Sequence, residues 1–376
     1  MKKIFFIILL TTSHLFPQSK FVFDGYLENF QTVWAPKQTS EWIFSNSIGN
    51  RLNFHYYPTT EFMFSLGLRN IFDFGQFVFL VPGYDKIATN DNGYLNLSKK
   101  IASNKSAILY SNIDRLNFFY SANNWEIQIG RQRINLGINY VWTPNDIFNS
   151  SSFLNFDYIE KPGSDAIRIQ YYLDFASSIQ IIAKEDKYKN LTMAGVYKFN
   201  IMDYDFQSLA SFTKDDFIFG GGWAGNISGA GFTGEATYFK SRKNLENVFV
   251  SSIGANCTFS NSLFLSGEFL FNSNGITDKA KSLNNIFNID YSAKNLSPSK
   301  FSIFISTQYP ITSLINLSIA SIINPIDGSY FFNPSIEFSL NDDIYFLISG
   351  QIFFGDNLTE WGDFGQFYYM RLKFNF

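Results

Sequence analysis

Apolar and polar residues alternate along this chain in one segment after another. Between Trp42 and Tyr56, the residues Trp42, Phe44, Ile48, Leu52, Phe54 and Tyr56 take one side of a two-residue period, and Ser45, Ser47, Gly49, Arg51, Asn53 and His55 take the other. Phe62, Phe64, Leu66 and Leu68 alternate with Met63, Ser65, Gly67 and Arg69, and Ile167, Ile169 and Tyr171 alternate with Ala166, Arg168 and Gln170. A period of two with one greasy face predicts strands rather than amphipathic helices.

Followed along the chain, the pattern predicts eighteen strands, near 21–34, 42–57, 60–74, 108–121, 124–134, 165–174, 177–185, 191–200, 203–213, 216–225, 229–240, 247–259, 262–272, 300–309, 313–323, 329–340, 343–354 and 365–376. Every second connection is short, as at Pro58-Thr59, Ala122-Asn123, Ile201-Met202, Ser260-Asn261 and Asn341-Asp342. The others include the long ones, 75–107, 135–164, 273–299 and 355–364. An even count with short turns at one end and long loops at the other is the layout of a membrane barrel with both termini on the periplasmic side. The count treats 284–294 as loop, although Ile286, Phe287, Ile289 and Tyr291 alternate as a strand would, so sixteen to twenty strands stay open.

Composition narrows the class. Aromatics make up 19% of the chain, with 45 Phe and 21 Tyr, yet the mean hydropathy is only −0.05. Beyond the N-terminus no run approaches the ~18 apolar residues of a membrane helix. A chain this aromatic with no helical periodicity fits a barrel, which turns one face to lipid and pairs every backbone group with a neighbouring strand. The predicted fold class is therefore all-β, a transmembrane antiparallel up-and-down barrel over residues 20–376 in the bacterial outer membrane, in contact with its lipid and lipopolysaccharide.

The N-terminus reads as an export signal. Lys2 and Lys3 precede the apolar run Ile4–Leu10, and polar and small residues follow to Ser19. That three-part layout predicts a signal peptide at 1–19, cut near 17–19, although Pro17 fits a cleavage site poorly. Its removal takes two lysines and no acid, moving the net charge of −3 to −5, with no basic excess for nucleic acid. The single cysteine, Cys257, is far from this region, so neither a lipidated N-terminal cysteine nor an internal disulfide is expected.

About eighteen strands would enclose an aqueous lumen, so passage of solutes is the first expectation. The chain has eight arginines. By alternation Arg51, Arg69, Arg115, Arg168 and Arg371 face the lumen. On 124–134, Ile127 and Ile129 face lipid, which would send Arg131 and Arg133 outward as well. A charge against hydrocarbon at mid-depth costs about 2–4 kcal/mol, so either a bulge at Gly130 turns them inward or they lie above the hydrocarbon. The expected result is a basic wall of these seven arginines. The 135–164 loop offers Asp146, Asp157 and Glu160 opposite it, with Asp165 just after. A basic wall facing acids gives a transverse field at a constriction and favours small polar solutes, anions among them. Arginine is also an ordinary polar choice for a lumen, and pairs from Arg131, Arg133 and Arg168 to these carboxylates would pin the loop, narrow the pore, or both.

Two stretches carry a resemblance. The last strand, with Tyr368, Met370, Leu372, Phe374 and Phe376 alternating against polar residues, resembles the C-terminal strand of bacterial outer-membrane proteins, which implies recognition by the barrel-assembly machinery. Gly130-Arg-Gln-Arg-Ile-Asn-Leu-Gly137, with Trp142-Thr-Pro-Asn-Asp146 and Glu160 to Arg168, resembles a Gly-Arg-Gln-x-Ile-x-Trp-Gly plus Asn-Pro-x-Asp pattern of porin-like barrel proteins of Bacteroidota type. It departs from that pattern at Leu136, where Trp is usual, and at Pro144-Asn145, where the order is reversed. The resemblance covers about forty residues strongly. It implies outer-membrane location and channel or export activity, without a substrate.

Enzyme chemistry finds little support. The one histidine beyond the signal region, His55, lies near the periplasmic end of its strand, whereas a barrel hydrolase dyad needs a histidine near the outer rim beside a serine. No His/Cys cluster suits a metal, and no cofactor is implied. Gly220-Gly-Gly222, Gly225, Gly229, Gly231 and Gly234 precede no helix, so they read as a thin or curved wall rather than a phosphate loop. Asp215-Asp216 and Asp342-Asp343 read as turn residues. The competing readings are a non-conducting barrel for surface-polymer binding or export, and a hydrophobic-substrate transporter using Phe77–Val81. A plugged TonB-dependent transporter is excluded by the short stretch between residue 19 and the first strand. Homo-oligomers stay open, since a subunit interface and a lipid face can be equally apolar.

Overall fold

In the computed structural model the alternating segments pair into one antiparallel sheet that closes on itself. The structure describes residues 20–150, 152–154, 160–243, 245–279 and 291–376. The expected signal peptide, Asp157 and most of 284–294 lie outside these residues. In chain order the strands are β1 (Phe21–Ala35), β2 (Ile43–Tyr56), β3 (Phe62–Gly75), β4 (Ser98–Ser103), β5 (Ala107–Ala122), β6 (Trp125–Gln132) and β7 (Ser164–Tyr172). Then come β8 (Ser178–Glu185), β9 (Leu191–Ile201), β10 (Tyr204–Phe212), β11 (Asp216–Ile227), β12 (Ala230–Ser241) and β13 (Val248–Thr258). The last are β14 (Phe264–Asn272), β15 (Phe301–Thr312), β16 (Ile315–Ile323), β17 (Tyr330–Ser339), β18 (Ile344–Phe354) and β19 (Gln366–Asn375).

Apart from the short β4, these strands form an eighteen-stranded closed barrel, as the alternation predicts. Closure runs from Tyr26↔Asn375 to Ala35↔Gln366 between β1 and β19. Phe376 finishes the seam, exchanging backbone hydrogen bonds with Gly25 at 2.9 and 3.0 Å. Aromatics recur on the outer face near the short-turn ends of the strands: Phe62 and Trp125 are exposed there, with Phe62 against Tyr120 and Trp125 against Tyr171. This is the interfacial girdle expected of a lipid-facing barrel.

The wall is irregular at β5. Its lower half pairs with β6, from Leu116↔Arg131 to Ala122↔Trp125, but β6 stops at Gln132. The upper half of β5 pairs instead with β4, from Ser98↔Asn112 to Ser103↔Ile108. The expected 75–107 loop thus carries two short helices, α1 (Gln76–Leu80) and α2 (Tyr84–Ala88), plus a strand that fills the gap above β6. The gap exists because the chain leaves the wall after Gln132 and enters the lumen, two residues before the predicted strand end.

Candidate functional site

The described residues of 133–163 run inside the barrel, and 138–145 dock on the far wall through two carboxylates. Glu235 on β12 accepts from the backbone N–H groups of Ile138 and Asn139, each at 2.8 Å, and of Asn145 at 3.0 Å. Glu268 on β14 accepts from those of Tyr140 at 2.6 Å, Val141 at 2.9 Å and Trp142 at 3.1 Å. A loop inside a barrel has no ladder to satisfy its amides, and these carboxylates supply the acceptors. Gln207 on β10 donates to Leu136 O at 2.8 Å, Ser252 on β13 to Trp142 O at 2.7 Å, and Gln351 on β18 to Leu154 O at 3.0 Å.

The glycine run makes room for this contact. A Cβ on Gly220 would stand 2.4 Å from Asn145 Oδ1, and one on Gly222 would stand 2.7 Å from Ile138 Cδ1. The wall is thin there because the loop lies against it. Apolar packing completes the docking: Val141 and Trp142 join Phe304, Phe331, Phe353 and Trp361 in a buried cluster inside the barrel.

The return leg is held to the opposite wall. Tyr26 donates to Glu160 Oε2 at 3.1 Å, and Arg115 donates to the carbonyls of Glu160 at 2.6 Å and Lys161 at 3.0 Å. Asn149 ties the two legs, accepting from Ile134 N at 3.0 Å and donating to Pro162 O at 2.9 Å. Asp146 is buried between them, where burial lifts its carboxyl to about 6 against the backbone hydrogen bonds that favour its ionised form.

The structure places the predicted arginines as follows. Arg51 makes a two-pronged pair with Asp114, at 2.7 and 3.1 Å, and approaches Glu160 at 3.8 Å. Arg131 pairs with Asp165 and Asp91, each at 2.7 Å, and donates to the carbonyls of Leu95 and Ile113. Gly130, before it, has φ +115° and carries no room for a Cβ, which would lie 2.2 Å from Leu116 O. That local reversal brings Arg131 to the cavity lining. For Asp91, burial pushes its carboxyl upward, but Arg131 and the amides of Gly93 and Leu97 outweigh it and hold the group low. Arg168 lies 3.8 Å from Glu126 and Arg371 3.6 Å from Glu337. Arg69 lines the cavity, and Arg133 is exposed beyond the end of β6. The acids facing these arginines are thus mostly wall and rim residues, Asp91, Asp114, Glu126 and Glu337, joined from the expected set by Glu160 and Asp165.

What the loop leaves open is a cavity of about 880 Å³ between it and the wall of β1, β2, β3 and β5. Its charged lining is mixed: Glu28, Asp73, Asp91 and Asp114 with Arg69, Arg131 and Lys184. A smaller, apolar cavity of about 300 Å³ lies among Trp142, Phe153, Leu296 and Trp361. Glu360 lines it fully buried, its carboxyl pushed up to about 8 by burial and by nearby Asp327, against hydrogen bonds from Ser297 and Asn324. Phe77–Leu80 lie in α1 and Val81 caps it, rather than forming an open pocket: Phe77 packs edge-on against Trp34 and Tyr84, while Phe79 and Leu80 are exposed. His55 does have a serine beside it, Ser65 Oγ at 2.9 Å in direct cross-strand register, at the periplasmic end. Among the described residues its ring has no carboxylate hydrogen-bond partner.

Sequence reasoning missed Glu235 and Glu268. A signal was present, since they are the acids at mid-strand on the lumen side of β10–β16, far from any arginine.

No protein-family model matches the chain, and no curated protein matches it in sequence. Solved structures do resemble it. OprD from Pseudomonas aeruginosa aligns with TM-score 0.61 at 8% identity, covering 95% of this chain and 93% of that one. OccAB3 from Acinetobacter baumannii aligns with TM-score 0.59 at 12% identity, covering 95% and 99%. OmpF from Salmonella typhi, solved in complex with daunomycin, aligns with TM-score 0.51 at 11% identity, covering 95% and 97%. At these identities the likeness is one of fold.

Proposed function

We propose that this protein is an outer-membrane channel through which small polar solutes pass down their gradients. The observation that carries the reading is the 880 Å³ polar cavity left between the docked loop and the wall of β1–β5. A loop held by six amide-to-carboxylate hydrogen bonds narrows a wide lumen instead of sealing it. The fold it shares with OprD, an outer membrane protein, supports the location. The charges around the cavity are nearly balanced, because Arg51 and Arg131 are matched by Asp114, Asp91 and Asp165. The basic wall therefore acts chiefly as a set of clamps, and because Glu28 and Asp73 line the same cavity as Arg69 and Lys184, its charge favours neither sign strongly. Size and polarity select the solute more than net charge does.

The apolar cavity beside Trp142 and Trp361 favours a second reading, a site for a small apolar solute. Liposome swelling with neutral sugars and amino acids against indole or toluene uptake separates the two. Swelling with polar solutes supports the first reading, whereas impermeability to them with uptake of apolar ones overturns it.

A further inference from the structure

Among the described residues, the outward side chains at mid-strand are apolar or carry only hydroxyls around most of the barrel, and one sector differs. Strand register sends Glu28, Gly49, Arg69 and Asp73 to the cavity, and the residues of opposite parity outward. On β1, β2, β3 and β5 those outward residues include Asn29, Gln31, Asn46, Asn50, Asn70 and Ser111. They are joined to one another. Gln31 Nε2 donates to Asn29 Oδ1 at 3.3 Å, Asn29 Nδ2 to Asn46 Oδ1 at 2.9 Å, and Asn70 Nδ2 to Asn50 Oδ1 at 3.5 Å. Asn50 Nδ2 donates to Tyr26 O at 3.2 Å, and the Ser111 hydroxyl donates to Asn70 Oδ1.

This stripe lies at mid-height. Leu52 and Ile48 bracket Asn50 on the same face, Leu68 and Phe72 bracket Asn70, and Ile113 and Leu109 bracket Ser111. Elsewhere among the described residues, the outward polar side chains at mid-strand are hydroxyls, and Thr307 and Ser321 turn theirs onto backbone carbonyls at 3.1 and 2.8 Å. The stripe stops at β19, where Met370 and Leu372 stand opposite Gln31 and Asn29.

Hydrocarbon neither donates nor accepts a hydrogen bond, and each primary amide has two N–H donors and two lone pairs to satisfy. The amides themselves carry no charge, and Lys99 of β4, opposite Ser111, flanks the stripe at its edge. The stripe carries donors and acceptors in equal measure, so its own copy is its natural complement. We propose that the outer face of β1, β2 and β3 is where this barrel meets a second copy of itself, amide stripe to amide stripe. The inference requires that the barrel sit in lipid, and it is independent of whether the lumen conducts.

Cysteine cross-linking in the native outer membrane tests it. In a Cys257→Ser background, N50C and N70C are compared with I253C, an outward residue of β13 on the far wall. Two differently tagged copies are co-expressed and oxidised. The expected result is an adduct containing both tags at N50C and N70C, at least five-fold above I253C. A triple N29L/N50L/N70L variant should still fold, shown by a heat-dependent gel shift, yet run as a single barrel in native mass measurements. Equal cross-linking at all three sites, adducts only with another protein, or an unchanged oligomer in the folded triple variant would overturn the proposal. Adducts at N50C without any conductance would instead sink the channel reading and leave this one standing.

Discussion

Arg51 and Asp114 meet inside the barrel with only 4% and 2% of their side chains exposed. Such a pair stabilises little over an apolar isostere, but removing one partner strands the other charge. We expect R51M to destabilise the folded barrel by about 3–5 kcal/mol, and R51M/D114L to recover most of that, both read from thermal unfolding in detergent. Equal losses in the single and double variants would show that packing, not the pair, matters. The arginine was legible in the sequence, because period two sends Arg51 inward. Its partner was not. Asp114 is the extra residue of a bulge in the β3–β5 pairing, between Gly67↔Arg115 and Leu68↔Ile113, so simple alternation assigns it to the wrong side. Around Gly130 the sequence left two options, a bulge or arginines above the hydrocarbon, and the pairing in fact runs unbroken through Gly130, whose positive φ is the only local irregularity there.

At the scale of elements, the docked loop depends on Glu235 and Glu268. Glutamine in their place keeps the size but offers one acceptor oxygen and adds two donors that face the loop amides. Each lost bond at such a buried site costs about 1–3 kcal/mol. E235Q/E268Q should therefore loosen the loop, seen as faster hydrogen exchange at 138–145 and as larger, noisier single-channel currents. G220V should act similarly, by pushing Asn145 off the wall. The rim loop 355–365 has a pH dependence of defined sign. The folded carboxyl of Glu360 titrates near 8, above its ordinary 4.5. The folded state thus holds the proton more tightly, and docking of this loop weakens as pH rises from about 4.5 to about 8, then levels off. Lys279 donates to Asp356 Oδ2 of this loop at 3.0 Å, so E360Q should flatten that profile in a measurement of trypsin cleavage at Lys279 against pH, normalised to cleavage of an unfolded substrate. An unchanged slope would remove Glu360 as its source. None of this docking could be read from periodicity, which describes wall strands and says nothing about which wall a loop will reach.

For the whole molecule, strand number and closure followed from two things: a two-residue period and the parity of short and long connections. Those signals persist because lipid and water enforce them at every strand. The additional strand β4 and the two short helices fill the gap left where β6 ends, where no simple alternation marks them, and they were hidden within a long loop. The mixed charge of the lumen was likewise hidden, since the paired acids come from bulges and rim segments distant in sequence. Together these features describe a barrel whose loop packs on one side and leaves a cavity of about 880 Å³ on the other, the passage of the proposed channel. Single-channel recording of the purified, folded full chain in planar bilayers tests this most directly. The account predicts long-lived discrete current steps with an anion-to-cation permeability ratio near unity; an absence of steps from heat-modifiable, folded protein, or strong selectivity for either sign, would contradict it.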